Sequence, residues 1–357
     1  MFGDLTYPRR AWTELGVKHI EIGIPGESRR GVLAPEALSS LQNGGEMGTA
    51  YAQQMVQAAR EGNWAALRTL PSPDQDLTTE PLREFSFLIP RGTAPIPVTA
   101  YCLEDRWQLP KPAVVYFHGG GFRMGSCRSV ENSMRLLAQL SGGIVFSVEY
   151  RLAPEHRFPC ATEDAWQALR WLYRHAAEFC ADKARFCVSG DSSGGNLAAA
   201  CARRDRNMRT GILCCQMLIY PVLCQVEPDA SDYHFSLGDY EIDETQEKWI
   251  VSCITSTKST AGSTRLYTSN PQEDRSPDAS PLLDTNFARL PRTFLFCAEF
   301  DYLTQQAKTY GQRLAKAGVD VTLVHYRGMH HGFMNRLGQY PQATALHQEI
   351  ASIIQQA

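Results

Sequence analysis

No apolar stretch in the 357-residue chain approaches the length of a membrane span, which excludes a helical integral membrane protein. Excess charge is missing too. The formal net charge is −3, so nothing marks nucleic acid or an anionic membrane surface as a partner. The first ten residues, Met1 to Arg10, include Asp4 and lack an apolar core, unlike a secretory leader. There is no internal repeat, which removes solenoids and propellers. The 11 cysteines are odd in number and scattered, with neither a C-x-x-C pair nor the Cys/His spacing of a zinc site. Several, such as Cys187, Cys214, Cys215 and Cys297, sit in apolar runs where a thiol acts as a small hydrophobe. A reducing, cytoplasmic setting without structural disulfides is expected. No metal is expected.

What remains is an ordinary globular composition, 43% hydrophobic and 20% charged, in a chain long enough for a large core. Residues 1–75 read as helical and irregular; Met55, Ala59, Trp64, Leu67 and Leu70 suggest an apolar face that Pro71–Asp74 ends. Phe85–Ile89 and Val98–Leu103 alternate, as an antiparallel edge would. Short apolar runs follow at Ala113–Phe117, Gly143–Val148, Phe186–Ser189, Cys214–Tyr220, Phe294–Cys297 and Val319–Val324. Most are separated by helical patterns such as Ala165, Leu169, Leu172, Ala176 and Leu346, Ile350, Ile353. Strand and helix in alternation predict an α/β fold, a mostly parallel sheet covered on both faces. Residues 227–280 interrupt the alternation with one amphipathic piece and the run Ser256–Thr264; so long an excursion reads as a lid over the carboxyl ends of the strands.

Chemistry concentrates at strand ends. Gly190-Asp-Ser-Ser-Gly194 joins a short apolar run to an alanine-rich helix, the G-x-S-x-G turn that exposes a serine, here Ser192, at a helix amino terminus. His118-Gly-Gly-Gly121 follows the strand Ala113–Phe117, and its glycines let backbone amides approach a substrate oxygen. The amides of Gly120, Gly121 and Ser193 are therefore assigned to an oxyanion hole. A serine nucleophile needs a base and a group that orients it. Arg327-Gly-Met-His-His-Gly-Phe333 follows the last strand, and His331 rather than its neighbour His330 is taken as the base. Glu299 and Asp301, after the preceding strand, both stand as the acid, in the order Ser…Asp/Glu…His.

His118–Gly121, Tyr150-Arg-Leu-Ala-Pro-Glu-His156 with Phe158-Pro159, Gly190–Gly195 and His331-Gly-Phe333 together resemble the hormone-sensitive-lipase-like (bacterial family IV) esterases of the α/β-hydrolase fold. Tyr220-Pro221 and Ser280-Pro-Leu282 add to it, and the likeness spans roughly Ala113 to Phe333. The resemblance implies an eight-stranded, mostly parallel sheet with a helical cap. It divides the chain into an N-terminal cap part at 1–75, a catalytic core at 76–226 and 281–357, and an inserted cap part at 227–280. It implies Ser192 as nucleophile, Asp301 as acid and His331 as base, with Glu155 in hydrogen bonding behind the site. The family's Asp-Pro-Leu is here Asp301-Tyr-Leu303, which loosens that turn and keeps Glu299 as a fallback; Ser193 replaces the usual alanine at no expected cost.

The expected activity is hydrolysis of small, fairly apolar carboxylic esters through an acyl-enzyme, without metal or organic cofactor. It should rise as pH climbs through roughly 6.5, where an ordinary imidazole becomes neutral. Amide, formamide or acetyl-group cleavage on the same residues is the alternative, and a non-catalytic small-molecule receptor is the other class. The expected partner is the ester itself; a homodimer is left open.

Overall fold

The computed structural model describes residues 7–43, 57, 60–69, 74–92, 94–227, 233–261 and 266–357. Within them one sheet runs through the molecule. Its strands are β1 (Arg9–Glu14), β2 (Val17–Ile22), β3 (Leu82–Ile89), β4 (Ile96–Leu103), β5 (Lys111–Phe117), β6 (Ile144–Val148), β7 (Ala181–Asp191), β8 (Cys215–Ile219), β9 (Arg292–Phe300) and β10 (Val321–His330). Their spatial order is β1-β2-β10-β9-β8-β7-β5-β6-β4-β3. All pairs from β2 to β6 are parallel, while β1–β2, β4–β6 and β3–β4 are antiparallel. The central strands β5, β6 and β8 are buried along their whole length, as a strand covered on both faces must be.

The covering helices are α1 (Pro35–Gln42), α2 (Trp64–Thr69), α3 (Glu131–Ser141), α4 (Cys160–Arg174), α5 (Ser193–Met208), α6 (Glu247–Ala261), α7 (Thr304–Lys316) and α8 (Pro341–Gln356). Their buried faces follow the helical period: Ala165, Leu169 and Leu172 on α4, Ala307, Tyr310 and Leu314 on α7, Leu346, Ile350 and Ile354 on α8. Helix α3 stops at Gly142, whose left-handed φ of 64° lets its amide close on Ala138, and β6 follows at once.

Two expectations need correction. The sheet has ten strands among the described residues rather than eight, and the opening of the chain is not uniformly helical. Residues 9–22 form a β-hairpin turned at Leu15-Gly16, both with positive φ (48° and 80°) as a two-residue turn between twisted strands requires. Strand β2 docks beside β10 and extends the sheet. This edge escaped the sequence because only Val17 and Ile22 of its two strands are buried, leaving little hydrophobic alternation to read. Of the apolar face read nearby, Leu67 is buried, Trp64 is half-buried, and Met55, Ala59 and Leu70 lie outside the described residues.

The interrupting stretch reaches the loop after β9 through Tyr240 and meets the N-terminal segment. The Gln246 side-chain oxygen accepts the Leu33 amide (2.8 Å), and the Asp243 amide donates to the Gly31 carbonyl (2.9 Å). Residues 262–265 of its Ser/Thr run fall outside the described residues. No described helix is long and apolar enough to cross a membrane, and all eleven cysteines are free thiols.

Candidate active site

Strand β7 ends at Asp191, and the chain turns into α5 through Ser192, with φ 55° and ψ −116°. A non-glycine residue in that region carries roughly 1–3 kcal/mol of strain, held here by surrounding structure. The Ser192 amide donates to the Ile219 carbonyl (2.9 Å), and the Ser192 carbonyl accepts the Val222 amide (3.0 Å). Gly194 is required by space: a Cβ there would stand 1.9 Å from the Phe117 carbonyl oxygen. The turn therefore packs directly on the end of β5, where the glycine loop begins.

The three residues carried over from the motifs converge. His331 Nε2 lies 3.0 Å from Ser192 Oγ, and His331 Nδ1 lies 2.7 Å from Asp301 Oδ2. Asp301 is fully buried just past the end of β9, while the imidazole keeps 26% of its surface open to the site. The other carboxylate oxygen accepts the Leu303 amide at 3.0 Å. An ionised Asp301 can only accept, so the ring proton sits on Nδ1 and Nε2 faces the Ser192 hydroxyl as an acceptor. The Tyr220 ring, 4.7 Å from His331 between centroids, walls the imidazole on one side. Its neighbour His330 turns away: its nitrogens meet the His331 carbonyl (2.8 Å) and the Tyr340 hydroxyl (3.2 Å). Glu299 is also elsewhere, accepting the Gly328 amide at 2.7 Å, with burial pushing its carboxyl above the ordinary range.

The loop His118–Gly121 is fastened from below. Asp191, fully buried, accepts both the Tyr116 hydroxyl (2.7 Å) and the Gly119 amide (2.8 Å) on one oxygen. Burial raises its carboxyl pKa, and those two donors work against the rise. The residue before Ser192 thus ties the serine turn to the glycine loop, a role no local pattern announces. Gly120 has φ 121°, and a Cβ on it would lie 2.1 Å from the Met124 carbonyl oxygen, so only glycine fits. Among the described turn and loop hydrogen bonds between backbone groups, none is donated by the amides of Gly120 or Gly121. The Tyr150–Pro159 turn backs this loop through the Tyr150 hydroxyl on the His118 carbonyl (2.7 Å) and the Ala153 amide on the Phe122 carbonyl (2.8 Å). Glu155 does not reach behind the site; it pairs with Arg68 of α2 (2.7 Å), whose guanidinium also holds the Ala153 and Arg123 carbonyls.

The inserted stretch reaches the acid loop. The Tyr240 hydroxyl donates to the Asp301 carbonyl at 3.0 Å, and the Tyr233 and Tyr302 hydroxyls are 2.6 Å apart. Gln306 donates to Tyr233 (3.1 Å) and accepts the amides of Leu223 and Cys224 (2.7 and 3.0 Å).

A parallel sheet that delivers a strained serine, an imidazole and a buried carboxylate to one end defines the α/β hydrolases. The chain belongs to that fold family, whose model matches residues 114–335, and within it to the hormone-sensitive-lipase-like, bacterial family IV esterases. It is 36% identical over 242 residues to esterase LipI of Mycobacterium tuberculosis, covering 66% of this chain and 70% of that one. Ethyl acetate hydrolase of Pseudomonas putida is 34% identical over 238 residues, with 66% and 70% covered. Among solved structures, the hyperthermophilic esterase of Pyrobaculum calidifontis superposes with a TM-score of 0.69 at 31% identity, over 91% of this chain and 98% of that one. By class the chain is a carboxylic-ester hydrolase.

Proposed function

We propose that the chain hydrolyses small, fairly apolar carboxylic esters in two steps, with Ser192 as nucleophile, His331 as general base and acid, and Asp301 as the residue that orients it. The observation that carries this reading is the continuous series from Ser192 Oγ through both ring nitrogens of His331 to Asp301 Oδ2. Nε2 takes the hydroxyl proton as Oγ attacks the ester carbonyl, and Asp301 stabilises the imidazolium that forms. The oxyanion is received by the amides of Gly120, Gly121 and Ser193, each worth about 3 kcal/mol in the transition state. His331 then returns its proton to the leaving alcohol, and a water repeats the sequence on the acyl-enzyme.

The preference for small esters rests on the roof. The described residues of 227–280 and of the N-terminal segment together form a cap over the strand ends, joined at Leu33–Gln246 and Gly31–Asp243 and anchored on Tyr233 and Tyr240. Phe122 and Tyr267 stack 3.7 Å apart where this roof meets the glycine loop, supplying aromatic surface rather than charge. The hydrolase of Pseudomonas putida acts on ethyl acetate, in keeping with a short acyl group here.

A fluorophosphonate probe tests the nucleophile, and esters of graded acyl length test the pocket. Covalent labelling at Ser192, lost in Ser192→Ala, with the fastest turnover on short acyl chains is the expected result. An unlabelled native protein would favour the receptor reading, and faster turnover of amides than of esters would favour the amidase.

A further inference from the structure

Midway along β7, beside the first residue of β8, three thiols that are dispersed in sequence meet in space. Strands β7 and β8 place Cys187 directly beside Cys215, and Cys214 precedes β8 by one residue. Cys215 Sγ lies 3.2 Å and Cys214 Sγ 3.4 Å from Cys187 Sγ, and all three sulfurs fall within 4.8 Å of one another. Cys187 and Cys215 are buried, whereas Cys214 is half-buried and gives the group a face toward solvent. We propose that Cys187, Cys214 and Cys215 form a binding site for one thiophilic, three-coordinate metal ion, Cu(I), separate from the ester-hydrolysing site.

The geometry sets the ion's size. With two sides of 3.2 and 3.4 Å and a third of at most 4.8 Å, the point equidistant from the three sulfurs lies no more than about 2.4 Å from each, against about 2.3 Å for a metal–thiolate bond. An ion in the plane of the three sulfurs, or just above it, therefore reaches all three. Sulfur alone as donor selects a soft ion over magnesium or calcium. No histidine or carboxylate joins the three thiols among the described residues, so zinc would lack the fourth ligand its tetrahedral sites take. Cu(I) accepts three sulfurs without one. Binding replaces the S–H protons, which pass to solvent, with metal–sulfur bonds; no electron is transferred. Arg292, beside Cys215 in the β8–β9 register, supplies positive charge next to the resulting anionic cluster.

The metal-free thiols already satisfy one another. Cys215 donates to Cys187, and Cys214 donates to the Phe186 carbonyl at 3.1 Å, a packed arrangement that keeps the sulfurs together before an ion arrives. The site is remote from the chemistry: Cys187 precedes Ser192 by five residues on an extended strand, about 16 Å.

The test is anaerobic competition between the full-length protein and a chromophoric Cu(I) chelator, with Cu(I) as the probe. The native chain should withdraw one equivalent of Cu(I). Cys214→Ser, at the half-buried position least needed for folding, should lower the affinity by at least ~100-fold, no less than losing an outer partner of a ligand can cost. Cys187→Ser should do the same. Cys160→Ser, a half-buried thiol outside the cluster, should match the native chain. Ester hydrolysis by Cys214→Ser should be unchanged, with the same melting temperature. Failure of the native chain to withdraw Cu(I), or equal withdrawal by Cys214→Ser, would overturn the site; tighter retention of Zn(II) than of Cu(I) would overturn the choice of ion.

Discussion

Replacing Asp301 by asparagine isolates the part of the reaction most dependent on the protein's own hydrogen bonding. The new carboxamide can lie two ways. With its oxygen kept on the Leu303 amide (3.0 Å in the native chain), its NH2 faces His331 Nδ1 across 2.7 Å. Nδ1 must then accept, and the ring proton moves to Nε2, the atom that should take the proton from Ser192. Flipping the carboxamide restores the useful tautomer but sets its NH2 against the buried Leu303 amide, leaving that donor unpaired at a cost of up to about 3 kcal/mol. Either way the imidazolium formed in the transition state loses a charged hydrogen bond to a fully buried partner, worth about 2–3 kcal/mol. The two losses together come to about 3–6 kcal/mol, a fall in kcat of roughly 10²–10⁴. KM should hardly move, because Asp301 lies behind the histidine, away from substrate. Burst kinetics with a chromogenic short-chain ester would read acylation and deacylation separately, and both should slow because His331 acts as base in each; a thermal melt would check the fold. A loss below about tenfold, or an equal loss in Glu299→Gln, whose carboxylate serves the Gly328 amide, would refute the assignment of the acid.

Two further outcomes are expected. Tyr240→Phe removes the hydroxyl that holds the Asp301 carbonyl, a contact of about 1 kcal/mol, and should lower kcat about fivefold with little change in KM; unchanged kcat would show that the inserted stretch does not steady the acid. Stability should fall in mild acid, because burial pushes His347 down to about 4 and His325, also facing Lys308 and His19, down to about 3. Both are neutral in the folded and unfolded chain above the ordinary imidazole value of 6.5. Below it the unfolded chain takes protons that the folded chain refuses, so each histidine costs about 1.4 kcal/mol per pH unit until its own folded value is reached. Urea titrations at pH 7.5 and 5 should differ accordingly, and His347→Gln should remove about half of that slope; equal slopes in both proteins would refute the account.

Local chemistry was legible in the sequence wherever the backbone itself demands a residue. Gly194 against Phe117 and Gly120 against Met124 are steric necessities, so the serine turn and the glycine loop could be recognised from a few letters each. The central strands were equally plain, since burial on both faces leaves unbroken apolar runs. Three kinds of feature were hidden. The hairpin 9–22 is an edge with little buried surface, so its composition carries almost no pattern. Asp191 and Tyr220 act through residues distant in the chain, and only the packing of β5, β7 and β8 brings them to the glycine loop and the imidazole. Glu299 and Asp301 stand two residues apart at the end of β9, the first inside the strand and the second just past it, so the letters alone leave both open; in space Asp301 meets His331 while Glu299 meets the Gly328 amide.

The replacement of the family's proline by Tyr302 bears on how this enzyme keeps its acid in place. Proline stiffens a turn through its own ring by fixing φ, independently of anything around it. Tyr302 gives up that constraint, yet its side chain is 3% exposed, its hydroxyl is 2.6 Å from that of Tyr233, and Phe235 packs edge-on against its ring at 4.8 Å. Tyr233, Phe235 and Tyr240 all belong to the inserted stretch, and Tyr240 grips the Asp301 carbonyl itself. The restraint on the acid loop has thus moved from the covalent geometry of one residue to contacts with the roof over the site. The inserted stretch holds the loop that carries Asp301 through the Tyr240 hydroxyl. Reinstating proline at 302 while keeping Tyr240 should separate the two: the turn regains its own stiffness, and kcat becomes less sensitive to Tyr240→Phe than in the native chain. Equal sensitivity in both backgrounds would mean that the tyrosine contacts only fill space.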